Sequence, residues 1–160
     1  MPKVEMDVET SLGPAQVRSA LIDFSPGRPD IWPGISRRYY EVYSVADTTA
    51  DVREGTAMGP LMGFWAKEHY DWSDPQTVRW TVRASNFCAP GSYVAATIRA
   101  RDGGGSRVHI EWNRTPTTFL GRMIARQIVR SNGKPVAGSF NKGLARMEKE
   151  HGQPAPASPA

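Results

Sequence analysis

Residues 91–115, GSYVAATIRARDGGGSRVHIEWNRT, decide the fold. Two strand-like runs, Gly91–Arg101 and Arg107–Thr115, flank Asp102-Gly103-Gly104-Gly105-Ser106, a strong hairpin signal. In the second run Val108, Ile110 and Trp112 share one face. Working outward, Gln76–Asn86 (QTVRWTVRASN) alternates in the same way, with Val78, Trp80, Val82 and Ala84 opposite Arg79, Thr81 and Arg83. Before it stand Phe64–Trp72, closed by Ser73-Asp74-Pro75, then Asp51–Met58 and Arg37–Ala46. The opening run Lys3–Thr10 sets Val4, Met6 and Val8 against Lys3, Glu5, Asp7 and Glu9. Seven strands at this regular spacing predict an antiparallel meander.

The remaining segments read as helices. Pro14 suits a first helical turn, where its missing N–H is not needed, and Val17, Ala20, Leu21 and Phe24 follow at helical spacing. Ser25-Pro26-Gly27-Arg28-Pro29 ends that helix, and Ile31-Trp32-Pro33-Gly34 reads as a helical turn or anchored loop. From Thr117 to about Glu150 a long final helix is predicted. Phe119, Leu120, Met123, Ile124 and Ile128 make its apolar stripe, with Arg122, Arg126 and Arg130 on the opposite side. Ser131-Asn132-Gly133-Lys134-Pro135 interrupts the pattern, and Pro135 predicts a kink or break before Val136, Phe140, Leu144 and Met147 resume it. A seven-stranded sheet must curl, its apolar face needs a cover, and only this helix is long enough to supply one. The expected class is α+β, one domain over residues 1–150, with a disordered Pro/Ala-rich tail over 151–160 (HGQPAPASPA).

Composition narrows the function. The 160 residues suit a single core. No apolar run approaches the length of a membrane span, and MPKVEMDVET lacks the apolar core of a secretory signal, so a cytoplasmic protein is expected. The net charge is +4, with the whole excess in residues 114–160: eight basic against two acidic groups. That lean is too small to predict nucleic-acid binding. The single cysteine, Cys88, excludes an intrachain disulfide and a cysteine-based zinc cluster, and reads as an inert thiol. His69 and His109 fall on the outward parity of their strands and His151 opens the tail, so no metal site is expected.

Taken in order, these elements resemble the START-like, or polyketide cyclase/dehydrase-related (SRPBCC), superfamily with its helix-grip fold. The resemblance is carried by VEMDVET, GPAQVRSALIDF, DIWPGIS, REGT, WSDPQTVRW and GSYVAATIRARDGGGSRVHIEW, and spans roughly residues 3–150. It implies a curved seven-stranded antiparallel sheet wrapped around the C-terminal helix, with two short helices between strands one and two. It further implies a sterol-, lipid- or polyketide-type ligand and no metal or nucleotide cofactor. The break near Asn132–Pro135 departs from the usual unbroken helix.

The strand parity itself marks a candidate pocket. Phe64, Ala66, Glu68, Tyr70 and Trp72 share a face with Val78, Trp80, Val82, Ala84 and Asn86, and with Val108, Ile110 and Trp112. Such a lining either binds a flat or lipid-like apolar ligand or simply fills a core. The expected ligand-binding set is Trp32, Phe64, Glu68, Tyr70, Trp80, Asn86, Trp112 and Ile124. Trp32 either gates the pocket mouth or plugs the core end. Glu68 has three readings: an in-cavity general acid or base, a buried partner of Arg99 or Arg101, or a surface carboxylate. The Arg122/Arg126/Arg130 stripe is a solvated face or a weak contact with an anionic membrane. The leading expectation is a binding protein for a small hydrophobic ligand. The alternatives are a cyclase or dehydratase moving protons through Glu68 or Tyr70, and a regulatory protein acting through the basic helix.

Overall fold

A computed structural model describes residues 3–151. The order is β1 (Lys3–Thr10), α1 (Pro14–Leu21), α2 (Arg28–Ile31), β2 (Glu41–Val45), β3 (Thr49–Ala57), β4 (Gly63–Asp71), β5 (Thr77–Ser85), β6 (Tyr93–Ala100), β7 (Ser106–Asn113), α3 (Phe119–Arg130) and α4 (Lys134–His151). The strands form one antiparallel sheet in the order β1-β7-β6-β5-β4-β3-β2. Because β1 and β2 lie at opposite edges, α1 and α2 carry the chain across the sheet. This is the predicted helix-grip arrangement: α+β, with helices covering one face of an antiparallel sheet.

Register follows the alternation. Val4, Met6 and Val8 stand opposite Trp112, Ile110 and Val108, and Trp112 and Ile110 face Val94 and Ala96 on their other side. All eight side chains are buried. Charged residues of β1 and β7 fall on the outer face, where His109 meets Asp7 and Glu5; His69 of β4 meets Asp51 of β3.

Three features depart from the sequence reading. First, β2 begins at Glu41 rather than Arg37, because Tyr39 and Tyr40 donate their backbone N–H to the Ser36 and Arg37 carbonyls and so form turns. Second, a β-bulge at Arg83 breaks the register between β4 and β5: Glu68 faces Val82, but Lys67 faces Ala84. One extra residue flips every later side chain to the other face. Ala84 therefore shares the outer side with exposed Lys67, and Asn86 is exposed. Third, the break expected in the C-terminal helix, which divides it into α3 and α4, lies just before Pro135 rather than at it. The α3 helix stops at Ser131, and Asn132 (φ 53°) and Gly133 (φ 77°) turn the chain through left-handed conformations. A Cβ on Gly133 would sit 2.5 Å from Met6 Cε, so glycine serves both the turn and the close approach to β1. Pro135 then lies in the first turn of α4, where it starts a helix instead of kinking one.

The packed face of α3 also differs from the expected stripe. Gly121, Ala125 and Ile128 are buried, whereas Phe119 and Met123 are exposed. Small residues let this helix approach the β5–β6 loop closely; a Cβ on Gly121 would lie 3.2 Å from the Phe87 carbonyl oxygen. Thr118 caps α3 by accepting the Gly121 N–H at 3.0 Å. No helix among the described residues is long and apolar enough to cross a membrane, and none of their His, Cys, Asp and Glu side chains form a group that could hold a metal ion. The expected disordered tail lies outside the described residues, except for His151, which ends α4.

Candidate functional site

The sheet and its covering helices do not close on each other. Between them lie two adjoining chambers that share Gly34, Ile35, Glu54, Trp80, Trp112, Arg114 and Ile128 as wall residues. The chamber toward α3, about 280 Å3, is completed by Phe64, Ala66, Glu68, Phe87, Cys88, Ile124 and Ala125, among others. The chamber toward α4, about 350 Å3, is completed by Arg28, Trp32, Tyr70, Val94, Val136 and Phe140, among others. Of the expected site residues, Phe64, Glu68, Trp80, Trp112 and Ile124 line the first chamber, and Trp32, Tyr70, Trp80 and Trp112 the second.

Asn86 does not belong to this set. Past the bulge it points away, and its side chain clamps β4 instead: Oδ1 accepts the Trp65 N–H at 2.8 Å and Nδ2 donates to the Gly63 carbonyl at 2.9 Å. Trp32 forms part of the wall of the second chamber. It is 8% exposed, donates Nε1–H to the Ala20 carbonyl at 3.3 Å, and meets Phe140 edge-on at 5.8 Å. Gly143 makes room for it, since a Cβ there would fall 2.2 Å from the Trp32 ring. Trp80 stacks on Tyr70 at 5.3 Å and on Phe140 at 6.1 Å, which joins sheet to α4 through an aromatic series.

Into this apolar space the fold introduces two ion pairs. Arg28, 4% exposed, donates Nε–H to Glu54 at 2.8 Å, Nη1 to the Leu21 and Asp23 carbonyls, and Nη2 to the Tyr70 hydroxyl at 3.1 Å. Tyr70 in turn donates its hydroxyl to the second Glu54 oxygen at 3.0 Å. Glu68 is buried as the sequence allowed, but its partner is Arg114, whose Nη2 donates to Oε1 at 2.6 Å. Arg99 is exposed and Arg101 pairs with Glu9 on the outer face, so neither expected partner reaches it. The Cys88 thiol lies 3.8 Å from Arg114 Nη1.

Electrostatics follow from burial. Desolvation pushes the Glu68 carboxyl above the ordinary glutamate range; Arg114 opposes the shift and Glu54 adds to it. Desolvation likewise drives the Tyr70 phenol well above its usual value, so the hydroxyl stays protonated. Burial works against both guanidinium charges, yet their carboxylate partners more than offset it and both are held above the ordinary arginine value. The arrangement thus sets two buried ion pairs into the wall of an otherwise largely apolar space.

Sequence reasoning missed Glu54, Arg28 and Arg114. Two of them had a signal: Glu54 continues the inward parity of Val52, and Arg114 continues that of Val108, Ile110 and Trp112. Arg28 had none, because it lies in a Pro/Gly-rich stretch without periodicity.

Comparison with solved structures places the architecture. The chain superposes on the aromatase/cyclase Zhui from Streptomyces sp. R1128 with a TM-score of 0.74 at 12% identity, covering 94% of this chain and 95% of that one. A START superfamily protein from Mycobacterium smegmatis gives 0.72 at 11% identity, covering 92% and 98%. A protein from Thermus thermophilus gives 0.72 at 17%, covering 93% and 99%. No protein-family profile and no curated protein sequence matches the chain. The fold is START-like, of the kind shared by polyketide aromatase/cyclases.

Proposed function

We propose that this protein binds one small, predominantly apolar molecule in the space between the sheet and the helices α3 and α4. The observation that carries the reading is the pair of adjoining chambers, walled in common by Trp80 and Trp112. Each is of the order of a small-molecule pocket, roughly 300 Å3 or more. A structural neighbour described as an aromatase/cyclase supports a polycyclic or polyketide-like guest, and one described as a START protein supports a lipid-like one. A cyclase-type activity is the second reading. It would fall to Glu68, because Tyr70 is held on both sides by Arg28 and Glu54. Titration with neutral 1-aminoanthracene, followed by its fluorescence, tests the binding reading: one saturable site is expected, and a featureless titration would reject it.

The surface around the α3 chamber supports collection of that guest from a membrane. Phe64 meets Phe87 at 5.1 Å, and the Phe87 carbonyl accepts the Thr117 N–H, so β4 and the segment leading into α3 are joined through Phe87. Leu61 (89% exposed) and Met62 of the β3–β4 hairpin and Phe119 (75%) and Met123 of α3 project outward, and Arg122, Arg126 and Arg130 of α3 are exposed. Apolar side chains with adjacent basic ones suit the interface of an anionic bilayer. Co-sedimentation with vesicles containing phosphatidylglycerol should exceed that with phosphatidylcholine alone, and fall with added salt. Phe119→Asp should abolish the difference; equal sedimentation with both vesicle types would dismiss membrane collection.

A further inference from the structure

The two buried ion pairs are not equivalent. Arg28 makes four hydrogen bonds that tie α1, α2 and the segment after α1 to Glu54 and Tyr70 of the sheet, and Glu54 uses both of its oxygens. That cluster is saturated and explains itself as a structural tie. Glu68 accepts one bond, at Oε1; its other oxygen has no hydrogen-bond partner among the described residues. Arg114 has the Cys88 sulfur as its second contact, and sulfur is a weak acceptor. A guanidinium carries five N–H groups, so Arg114 keeps donors to spare. Both residues line the chamber toward α3, and Arg114 also lines the one toward α4.

Stability does not account for such a pair. Desolvating two ions costs several kcal/mol for each, and apolar residues of the same volume are often neutral or stabilising in their place. We propose that the guest carries a single oxyanion, a carboxylate or an enolate, that docks on Arg114 and displaces Glu68, which takes up one proton from solvent. This deepens the binding reading above and rests on it. The balance of charge supports it. Empty, the site holds two cations and two anions; one further anion would leave a net buried charge unless a carboxylate is neutralised. Glu54 keeps Arg28 and Tyr70, so the proton goes to Glu68.

The groups around Glu68 agree. Arg114, after β7, and the more distant Arg28 of α2 favour its charged form; Glu54 of β3 and burial favour its neutral form. Cys88 and Tyr70 add no positive charge, and α3 presents Gly121, Ile124, Ala125 and Ile128, none of them titratable. Once Arg114 turns to the guest, only the distant Arg28 still opposes protonation.

The test uses 1-aminoanthracene bound to the intact protein and its displacement by decanoate or decanol. Decanoate should displace at least tenfold better than decanol at pH 6. Its advantage should shrink by about tenfold per pH unit across the range where Glu68 must gain a proton. In Glu68→Gln the decanoate affinity should rise and lose its pH dependence. Because Arg114→Met alone would strand a buried carboxylate, the double variant Glu68→Met/Arg114→Met is the companion, and in it decanoate should displace no better than decanol. Equal displacement by acid and alcohol in the unmodified protein, or an unchanged pH profile in Glu68→Gln, would overturn the proposal while leaving the cavity reading intact. Failure of 1-aminoanthracene to bind at all would overturn both.

Discussion

Arg28→Met will lower the free energy of unfolding by about 3–5 kcal/mol, the usual consequence of removing one partner from a buried ion pair. The substitution leaves the Glu54 carboxylate with only the Tyr70 hydroxyl as hydrogen-bond partner, and it frees the Leu21 and Asp23 carbonyls. Apolar volume is nearly kept, so cavity formation contributes little. The loss is therefore electrostatic and specific to the tie between α2 and the sheet. Equilibrium urea unfolding measures it from the shift in midpoint at unchanged slope. A loss below about 1 kcal/mol, the range of exposed ion pairs, would show that Arg28 is not the tie described.

Ile128→Trp will weaken binding of 1-aminoanthracene by about a hundredfold or more, equivalent to ~2.7 kcal/mol. Ile128 projects from α3 into the place where the two chambers meet, and it lines both. An indole there occupies the junction from which a guest would reach either side. Since the added ring enters empty space, the overpacking cost should stay near the low end of about 1–3 kcal/mol and the circular dichroism spectrum should be unchanged. Binding at full strength by a folded Ile128→Trp protein would place the guest elsewhere.

Much of the architecture was legible because strand alternation is a strong signal over eight or nine residues. That Val4, Met6 and Val8 share the face of Val108, Ile110 and Trp112, and Tyr70 that of Trp80, follows directly from it. The site was legible only in part. Parity placed Phe64, Glu68, Tyr70, Trp80 and Trp112 inward, and it failed at Asn86 because nothing in the run Ala84-Ser85-Asn86 announces the bulge at Arg83. The partner of Glu68 was beyond reach for a different reason. Arg114 lies 46 positions away and follows the last residue of β7, so only the folded sheet brings the two together. The packed face of α3 is not legible from apolar bulk alone, because closeness of approach decides it. Gly121 and Ala125 win the contact by being small, leaving Phe119 and Met123 outside.

If the two chambers that share Trp80, Trp112 and Ile128 receive one guest between them, each folded molecule takes up one ligand. Native mass spectrometry of the folded protein with a small excess of 1-aminoanthracene should show a single adduct, absent from Ile128→Trp. A spectrum in which the unmodified protein carries none, or carries two with equal affinity, would show that the chambers do not receive one guest between them.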